Sequence, residues 1–346
     1  MKISQLLDIK NIKVKDINVK PSEIKENSLR VKIKATGICG SDLHYYDDGG
    51  LGSHKISFPI TLGHEPSGVI LESSSKLFNK NERIAIEPNL PCLFHKSDQN
   101  CYECGKGHFN LCPDSTFLGA KDTNGSFQEE IVIHSSQALK IDEAVSFEEA
   151  TLLEPFSVAL HAFKKINFET GGKIAILGSG PIGICLALIA NISGASEILV
   201  IDKLRYRLEF IKSLIPCATL TEDEFVNEKK KYKSNYHYVF DAAGKKNTFL
   251  NSLDLCKNLA KLVIVGIPTY DFLEYNPHVA RVKEILILNC RRSNNLLHTS
   301  YEIFKQYGLP LNKIITHKYD LNDIQEAFKN NSIYKNNVIK TVITSE

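Results

Sequence analysis

Two sets of metal-seeking side chains and one glycine turn carry the chemistry legible in this chain. Cys92, Cys101, Cys104 and Cys112 fall within 21 residues, the last three spaced C-x2-C-x7-C. Four thiolates so close together can surround a tetrahedral Zn²⁺ unaided, forming a closed site whose work is structural. Metal binding would then add folding free energy to a lobe too polar (KSDQN, GKGH) to pack alone. Free or disulfide-bonded thiols are the plain alternative, and His95 is a substitute ligand. The second set is dispersed: Cys39 in GICGSDLHYY, His64 and Glu65 in GHEPSG, and Glu154 in LLEPFSVALH. Three protein ligands of mixed type with a replaceable fourth position is the arrangement of a catalytic zinc. Singly, each has a blander reading. A buried Cys is usually core, and a His in a Gly-bounded turn usually bonds backbone. Glu154, however, sits in an apolar run, where a carboxylate needs a cation.

The glycine turn lies in KIAILGSGPIG, where Gly178, Gly180 and Gly183 form G-x-G-x-x-G between an expected strand and an expected helix. The first glycine permits the turn, the second admits a pyrophosphate, and the third lets helix and strand pack closely. The phosphates would sit at the helix N-terminus. Pro181 and Ile182 complete that loop. Asp202 ends the next expected strand, EILVID, 24 residues after Gly178, where its carboxylate would accept ribose hydroxyls. The same charge repels a 2′-phosphate, which favours NAD, while Lys203, Arg205 and Arg207 keep NADP open. A helix-capping turn with no ligand is the bland reading.

These residues need elements to position them. Residues 30 to 150 read as short alternating segments (RVKIKATG, ERIAIEP, EEIVIH), the pattern of small antiparallel strands in a barrel. From about residue 172, apolar strands (KIAILG, EILVID, YHYVFDAAG, KLVIVG) alternate with helical patterns (PIGICLALIANIS, RYRLEFIKSL), as in a parallel sheet covered on both faces. NEKKKYK (227–233) reads as a solvated connection. EILILNC (284–290) reads as an apolar strand able to pair across a two-fold axis. The whole is a 346-residue α/β chain, 43% hydrophobic, with 42 Lys+Arg against 40 Asp+Glu. That net charge of +2 offers no footprint for nucleic acid or an anionic membrane. The longest apolar runs, such as 184–190, fall short of the ~18 residues a bilayer span needs. No signal-peptide pattern opens the chain, and nine cysteines in a chain of this size suggest cytoplasmic thiols or metal ligands.

Together, GICGSD, GHEPSG, the four-cysteine lobe, LLEPFSVALHA, GSGPIG and VID resemble the zinc-dependent medium-chain alcohol dehydrogenases over essentially the whole chain. CGSDLHYY followed by GGLG looks most like their polyol branch, the sorbitol dehydrogenases and L-idonate 5-dehydrogenases. The resemblance implies a GroES-like β-barrel catalytic domain at 1–149 with a zinc lobe at about 88–115, a Rossmann domain at 150–290, and a return to the catalytic domain at 291–346. It implies two Zn²⁺ per subunit, NAD, a small polyol or sugar-acid substrate and a homodimer or homotetramer. Cys39, His64 and Glu65 match the catalytic-zinc positions, and Glu154 a carboxylate that ligates directly or through water. Ser41 and Tyr45, with His44 nearby, match the proton relay. Phe117 and Arg291 are the expected substrate residues. Gly178, Gly180, Pro181, Ile182, Gly183, Asp202, Arg207 and Gly266 are the expected cofactor residues.

The chain also departs from the pattern. The C-x8-C step from Cys92 to Cys101 is expanded, the turn after GHEPSG becomes ESSSKLFNKNER, and Arg292 stands where sorbitol dehydrogenases usually have Tyr. The expected reaction is oxidation of a secondary hydroxyl of a sugar acid or polyol, with sorbitol, xylitol or L-threonine as rival substrates. A zinc- and nucleotide-binding sensor without turnover is the rival from another class, and the intact Cys39, His64, Glu65 and Glu154 set argues against it. A zinc-ribbon nucleic-acid module is disfavoured by the charge balance.

Overall fold

Alternation sets the strands of the first half. In Ser28–Gly37 (β1), Leu29, Val31, Ile33 and Ala35 are buried while Arg30, Lys32 and Lys34 are half-buried, the period-two pattern of a strand with one wet face. The helix Gly40–Asp48 (α1) follows, then strands Glu65–Ser73 (β2), Arg83–Ile86 (β3), Glu130–His134 (β4) and Ala138–Lys140 (β5), and the helix Leu153–Lys164 (α2). Six further strands then alternate with helices. They are Lys173–Leu177 (β6), Glu197–Asp202 (β7), Ala218–Thr221 (β8), Tyr236–Asp241 (β9), Cys256–Ile264 (β10) and Leu286–Asn289 (β11). The helices among them are Pro181–Ile192 (α3), Arg205–Leu214 (α4), Glu222–Tyr232 (α5) and Lys246–Leu255 (α6). The chain closes on Ile315–Asp320 (β12), the helix Ile324–Ser332 (α7) and Lys340–Thr344 (β13). This computed structural model describes residues 1–18, 24–95, 100–120 and 123–345.

Contacts divide the chain into two units. One comprises Met1–Glu154, Leu297–Glu302 and Leu311–Glu346; the other comprises Pro155–Leu296 and Ile303–Pro310. The first holds a seven-stranded sheet ordered β5-β3-β2-β1-β13-β12, with β4 pairing β1. Strand β13, almost the last segment of the chain, therefore lies antiparallel beside β1, with Val342 opposite Gly37. The second unit holds six parallel strands ordered β8-β7-β6-β9-β10-β11. Counted within that unit the order is 3-2-1-4-5-6, the dinucleotide-binding arrangement whose crevice opens where the order reverses, beside β6. Its core is dry. Ile174, Ala175 and Ile176 of β6 and Ile184, Cys185, Leu186 and Ala187 of α3 are all 0% exposed. A helix so apolar all round must be covered on every side. No helix among the described residues is long and apolar enough to cross a membrane.

Two local readings are corrected. NEKKKYK is not a connection, because residues 227–232 form the C-terminal part of α5. Thr221 Oγ1 accepts from Glu224 N at 3.2 Å, and Glu224 Oε2 accepts from Thr221 N at 2.7 Å. This capping box starts a helix whose buried residue is Phe225 and whose lysines suit the negative end of the dipole. EILILNC is strand only over Leu286–Asn289, because Glu284 sits in a left-handed cap (φ 51°) closing the preceding helix Pro277–Lys283. Arg291 and Arg292 lie beyond that strand, Arg292 at φ 54°. In the remodelled ESSSKLFNKNER turn, Asn81 adopts φ 72° and donates its N–H to Ile70 O at 2.8 Å, filling a role glycine usually takes.

Candidate active site and metal centres

Antiparallel pairing brings the dispersed ligands together. Gly37, at the end of β1, is registered opposite Glu65, the first residue of β2. Cys39 and His64 are thus set a residue or two beyond one end of a single strand pair. Cys39 caps α1, with its own N–H donated to Asp42 Oδ2 at 3.0 Å. Asp42, fully buried, also places Oδ1 3.4 Å from His64 Nδ1 and accepts from Gly63 N at 3.3 Å. One carboxylate thereby fixes both the thiol-bearing turn and the imidazole. With Nδ1 turned to Asp42, Nε2 is left as the ring nitrogen available to a metal. Burial alone would lower the His64 pKa, but the Asp42 carboxylate and the Cys39 sulfur outweigh it and hold the ring well above its usual value.

One donor atom from each of Cys39, His64 and Glu65 lies within 4.8 Å of the others, a mixed S, N, O set. Glu154 stands outside this cluster, 6% exposed at the start of α2. Burial pushes its pKa up to about 8, with His64, Glu65, Glu87 and Lys340 in electrostatic reach. Two buried carboxylates (Glu65, Glu154) and the Cys39 sulfur therefore lie in electrostatic reach of the Lys340 ammonium, and the buried Glu87 lies in reach of Glu154. Such crowding of buried acidic groups, which favours a proton on Glu154 when no metal is present, suits a divalent cation. Ser41 Oγ lies 3.5 Å from His64 Nε2, and the Phe117 ring lies 5.4 Å from the His64 ring, centroid to centroid. His44 is drawn to Asp48, 3.5 Å away on the next turn, and Tyr45 packs in the apolar cluster with Leu6, Ile60 and Phe127.

The four cysteines form the second cluster. Cys92 and Cys104 sulfurs are 3.6 Å apart, and those of Cys101 and Cys112 3.7 Å. Bonds of about 2.3 Å to a tetrahedral zinc require sulfurs about 3.8 Å apart, so the spacing fits a zinc tetrathiolate. Backbone N–H groups of Cys92 and Cys104 point at the Cys112 and Cys101 sulfurs, at 3.3 and 3.4 Å. All nine cysteines are free, and His95 is exposed outside the group. Of the KSDQN stretch, residues 96–99 lie outside the described residues.

In the second unit, Gly178 turns at φ +100°, which excludes a side chain there. A Cβ on Gly183 would fall 1.8 Å from Gly178 O, so helix and loop touch backbone to backbone. At Gly180, which caps α3 with Pro181 next, the nearest atom to an added Cβ is Arg207 Nη1 at 3.7 Å, leaving room for an anion. Asp202 is tied to the same loop, accepting from Ser179 N at 2.6 Å and from Leu204 N at 2.8 Å. Each oxygen keeps a further lone pair for a hydroxyl. Gly266 donates its N–H to Asp241 O at 2.9 Å beside the Ala242–Gly244 turn, where a Cβ would fall 2.5 Å from Gly244 N. Arg291 is exposed, and the Arg292 carbonyl lies 2.8 Å from His161 Nδ1.

Sequence reasoning left Asp42 and Lys340 without roles. Asp42 carried a signal, standing three residues after Cys39 in the spacing of a capping box. Lys340 carried one too, as a lone cation in the apolar run VIKTVIT.

Comparison with known proteins agrees with this fold. Residues 25–143 match the alcohol dehydrogenase GroES-like domain and residues 181–306 the zinc-binding dehydrogenase domain. Sorbitol dehydrogenase of Bacillus subtilis is 30% identical over 349 residues, covering 99% of this chain and 97% of that one. L-idonate 5-dehydrogenase of Vitis vinifera is 30% identical over 337 residues, covering 94% and 89%. An oxidoreductase/dehydrogenase of unknown specificity from Escherichia coli superposes with a TM-score of 0.90 at 28% identity, covering 100% and 99%. The chain, a GroES-like domain joined to a Rossmann domain, belongs to the zinc-binding alcohol dehydrogenase family, in its polyol branch.

Proposed function

We propose that this dehydrogenase oxidises a secondary hydroxyl of a polyol or sugar acid using NAD, with one zinc at Cys39, His64 and Glu65 and another at the four-cysteine lobe. The observation that carries the reading is the three-donor cluster, in which Asp42 holds Cys39 and His64, with Ser41 beside it and the buried Glu154 nearby. When bound, zinc supplies a Lewis acid that acidifies a hydroxyl, and the nicotinamide supplies the hydride acceptor. The protein's own residues do the rest. Asp42 keeps the proton on His64 Nδ1 and so fixes the ring's direction. The Ser41 hydroxyl takes the substrate proton and passes it outward, with His44 and Tyr45 of the same helix as the next groups. Phe117 covers one side of His64 and limits water there. Gly178, Gly180, Pro181, Ile182 and Gly183 cradle the pyrophosphate, Asp202 receives the ribose hydroxyls, and Gly266 lines the cofactor.

Among substrates, the adjacent arginines of CRRSNN and the likeness to an L-idonate 5-dehydrogenase support a sugar acid, because Arg pairs strongly with a carboxylate. Arg291 is the residue we assign to that contact. The test is NAD reduction across C6 aldonates, their alditols and L-threonine, with a chelator control. A higher kcat/KM for an aldonate, reduced by Arg291→Ala by ~1.5 to 3 kcal/mol, is the expected outcome. Equal or faster turnover of sorbitol or xylitol would reject the acid and leave the polyol reading. Silence across the whole panel would favour the non-catalytic sensor.

Cofactor choice is expected to turn on Asp202. Asp202→Ala removes the ribose acceptor and the repulsion of a 2′-phosphate, while Arg207 stays beside the loop. The NADP-to-NAD ratio of kcat/KM should rise about tenfold or more, the ratio ~1.4 kcal/mol produces. Asp202→Asn keeps an acceptor for Ser179 N and separates loop loosening from charge. An unmutated enzyme that already prefers NADP contradicts the assignment.

A further inference from the structure

Strand β13 brings a cation from the end of the chain to the metal ligands at its beginning. Lys340 and Glu65 side chains are each 1% exposed and form an ion pair through Lys340 Nζ and Glu65 Oε2. The ammonium also donates to Ile38 O at 2.9 Å, the carbonyl just before Cys39. Glu65 Oε2 is buried, with Lys340 as its counter-ion and no hydrogen bond of ordinary geometry among the described residues. Gly37 makes the room: a Cβ there would fall 2.0 Å from Glu65 Oε2 and 2.8 Å from Lys340 Cε. The pair is thus built into three strands, β1, β2 and β13.

A carboxylate can offer a cation one oxygen or two, and the choice sets how many coordination positions remain. We propose that Lys340 is a positioning residue that withholds Glu65 Oε2 from the metal, confining Glu65 to one-oxygen ligation and keeping a position open for an exchangeable ligand. This rests on the reading of Cys39, His64 and Glu65 as a metal site. A lysine serving only as a buried counter-ion would stabilise the fold and leave coordination unchanged.

Cobalt(II) in place of zinc reads the coordination directly. Its visible bands weaken as ligands are added, and they shift when imidazole enters an open position. Lys340→Met is expected to retain cobalt but to lose band intensity and the imidazole response, whereas Lys340→Arg keeps both. The four-thiolate site contributes equally to every spectrum and cancels in the differences. If Lys340→Met fails to fold, Lys340→Met combined with Glu65→Gln removes both charges and leaves one carbonyl oxygen. That double variant is expected to recover the imidazole response. An unchanged spectrum and response in Lys340→Met, or no response in the double variant, overturns the proposal. Should Cys39→Ser leave the cobalt stoichiometry of the parent unchanged, the metal-site reading falls, and the proposal with it.

Discussion

Cys39→Ser and His64→Ala are each expected to fold and to lose turnover by about 10³-fold or more, the factor that several kcal/mol of missing Lewis-acid stabilisation produces. The fold should survive for local reasons. Serine is a strong helix N-cap, so α1 keeps its start, and the Asp42 bond to residue 39 uses the backbone N–H. In His64→Ala, Asp42 Oδ1 keeps the N–H of Gly63 as a partner. What each variant loses is a donor from a set of three, and three ligands are few enough that one loss should empty the site. Metal analysis should therefore find about one zinc fewer per chain, with thermal melting close to the parent's. If both variants keep more than a few percent of parental activity, the assignment of these ligands is wrong.

How far the chain could be read without coordinates depended on the distance over which each signal acts. The glycine turn was legible because its reasons are local. Gly178 must adopt a positive φ and Gly183 must admit a carbonyl, and both demands fall within six residues. Cysteine spacing was legible for the same reason, since a small lobe can bring four thiols to tetrahedral spacing by itself. The proposed catalytic donors could be nominated but not assembled, because the pairing of Gly37 with Glu65 is a register between distant segments. Lys340 was beyond reach. Its signal, a cation in an apolar strand, demanded a buried acid without saying which of several carboxylates would meet it. The misread stretches have equally plain causes. In α5 the buried face is reduced to Phe225, so no period was visible among the lysines. In EILILNC the apolar run exceeds the paired residues Leu286–Asn289 at both ends, so composition marks neither end of the strand.

The cysteine lobe should respond to mutation in the opposite sense to the catalytic donors. Cys104 is 6% exposed, its sulfur is 3.6 Å from that of Cys92, and its N–H is directed at the Cys101 sulfur. Cys104→Ser replaces one of four thiolates by a hydroxyl, a far poorer zinc ligand at neutral pH, and so opens a closed site. Little else holds this segment: Cys92, Cys104 and Cys112 are the buried members of its small core, with Cys101 and Phe109 packed against them. On the two-zinc reading, zinc binding would supply the folding free energy that such a core cannot. The variant is therefore expected to lose about one zinc per chain and to melt about 4–8 °C lower, the shift ~2 kcal/mol produces in a domain of this size. Below that lower transition, kcat should stay within about twofold of the parent's, because a closed thiolate site has no open position at which to bind substrate. Metal analysis, calorimetry and steady-state rates on one preparation check all three. One zinc per chain in the unmutated protein would remove the two-site reading. Loss of kcat in Cys104→Ser with both zincs retained would mean that the lobe takes part in the chemistry.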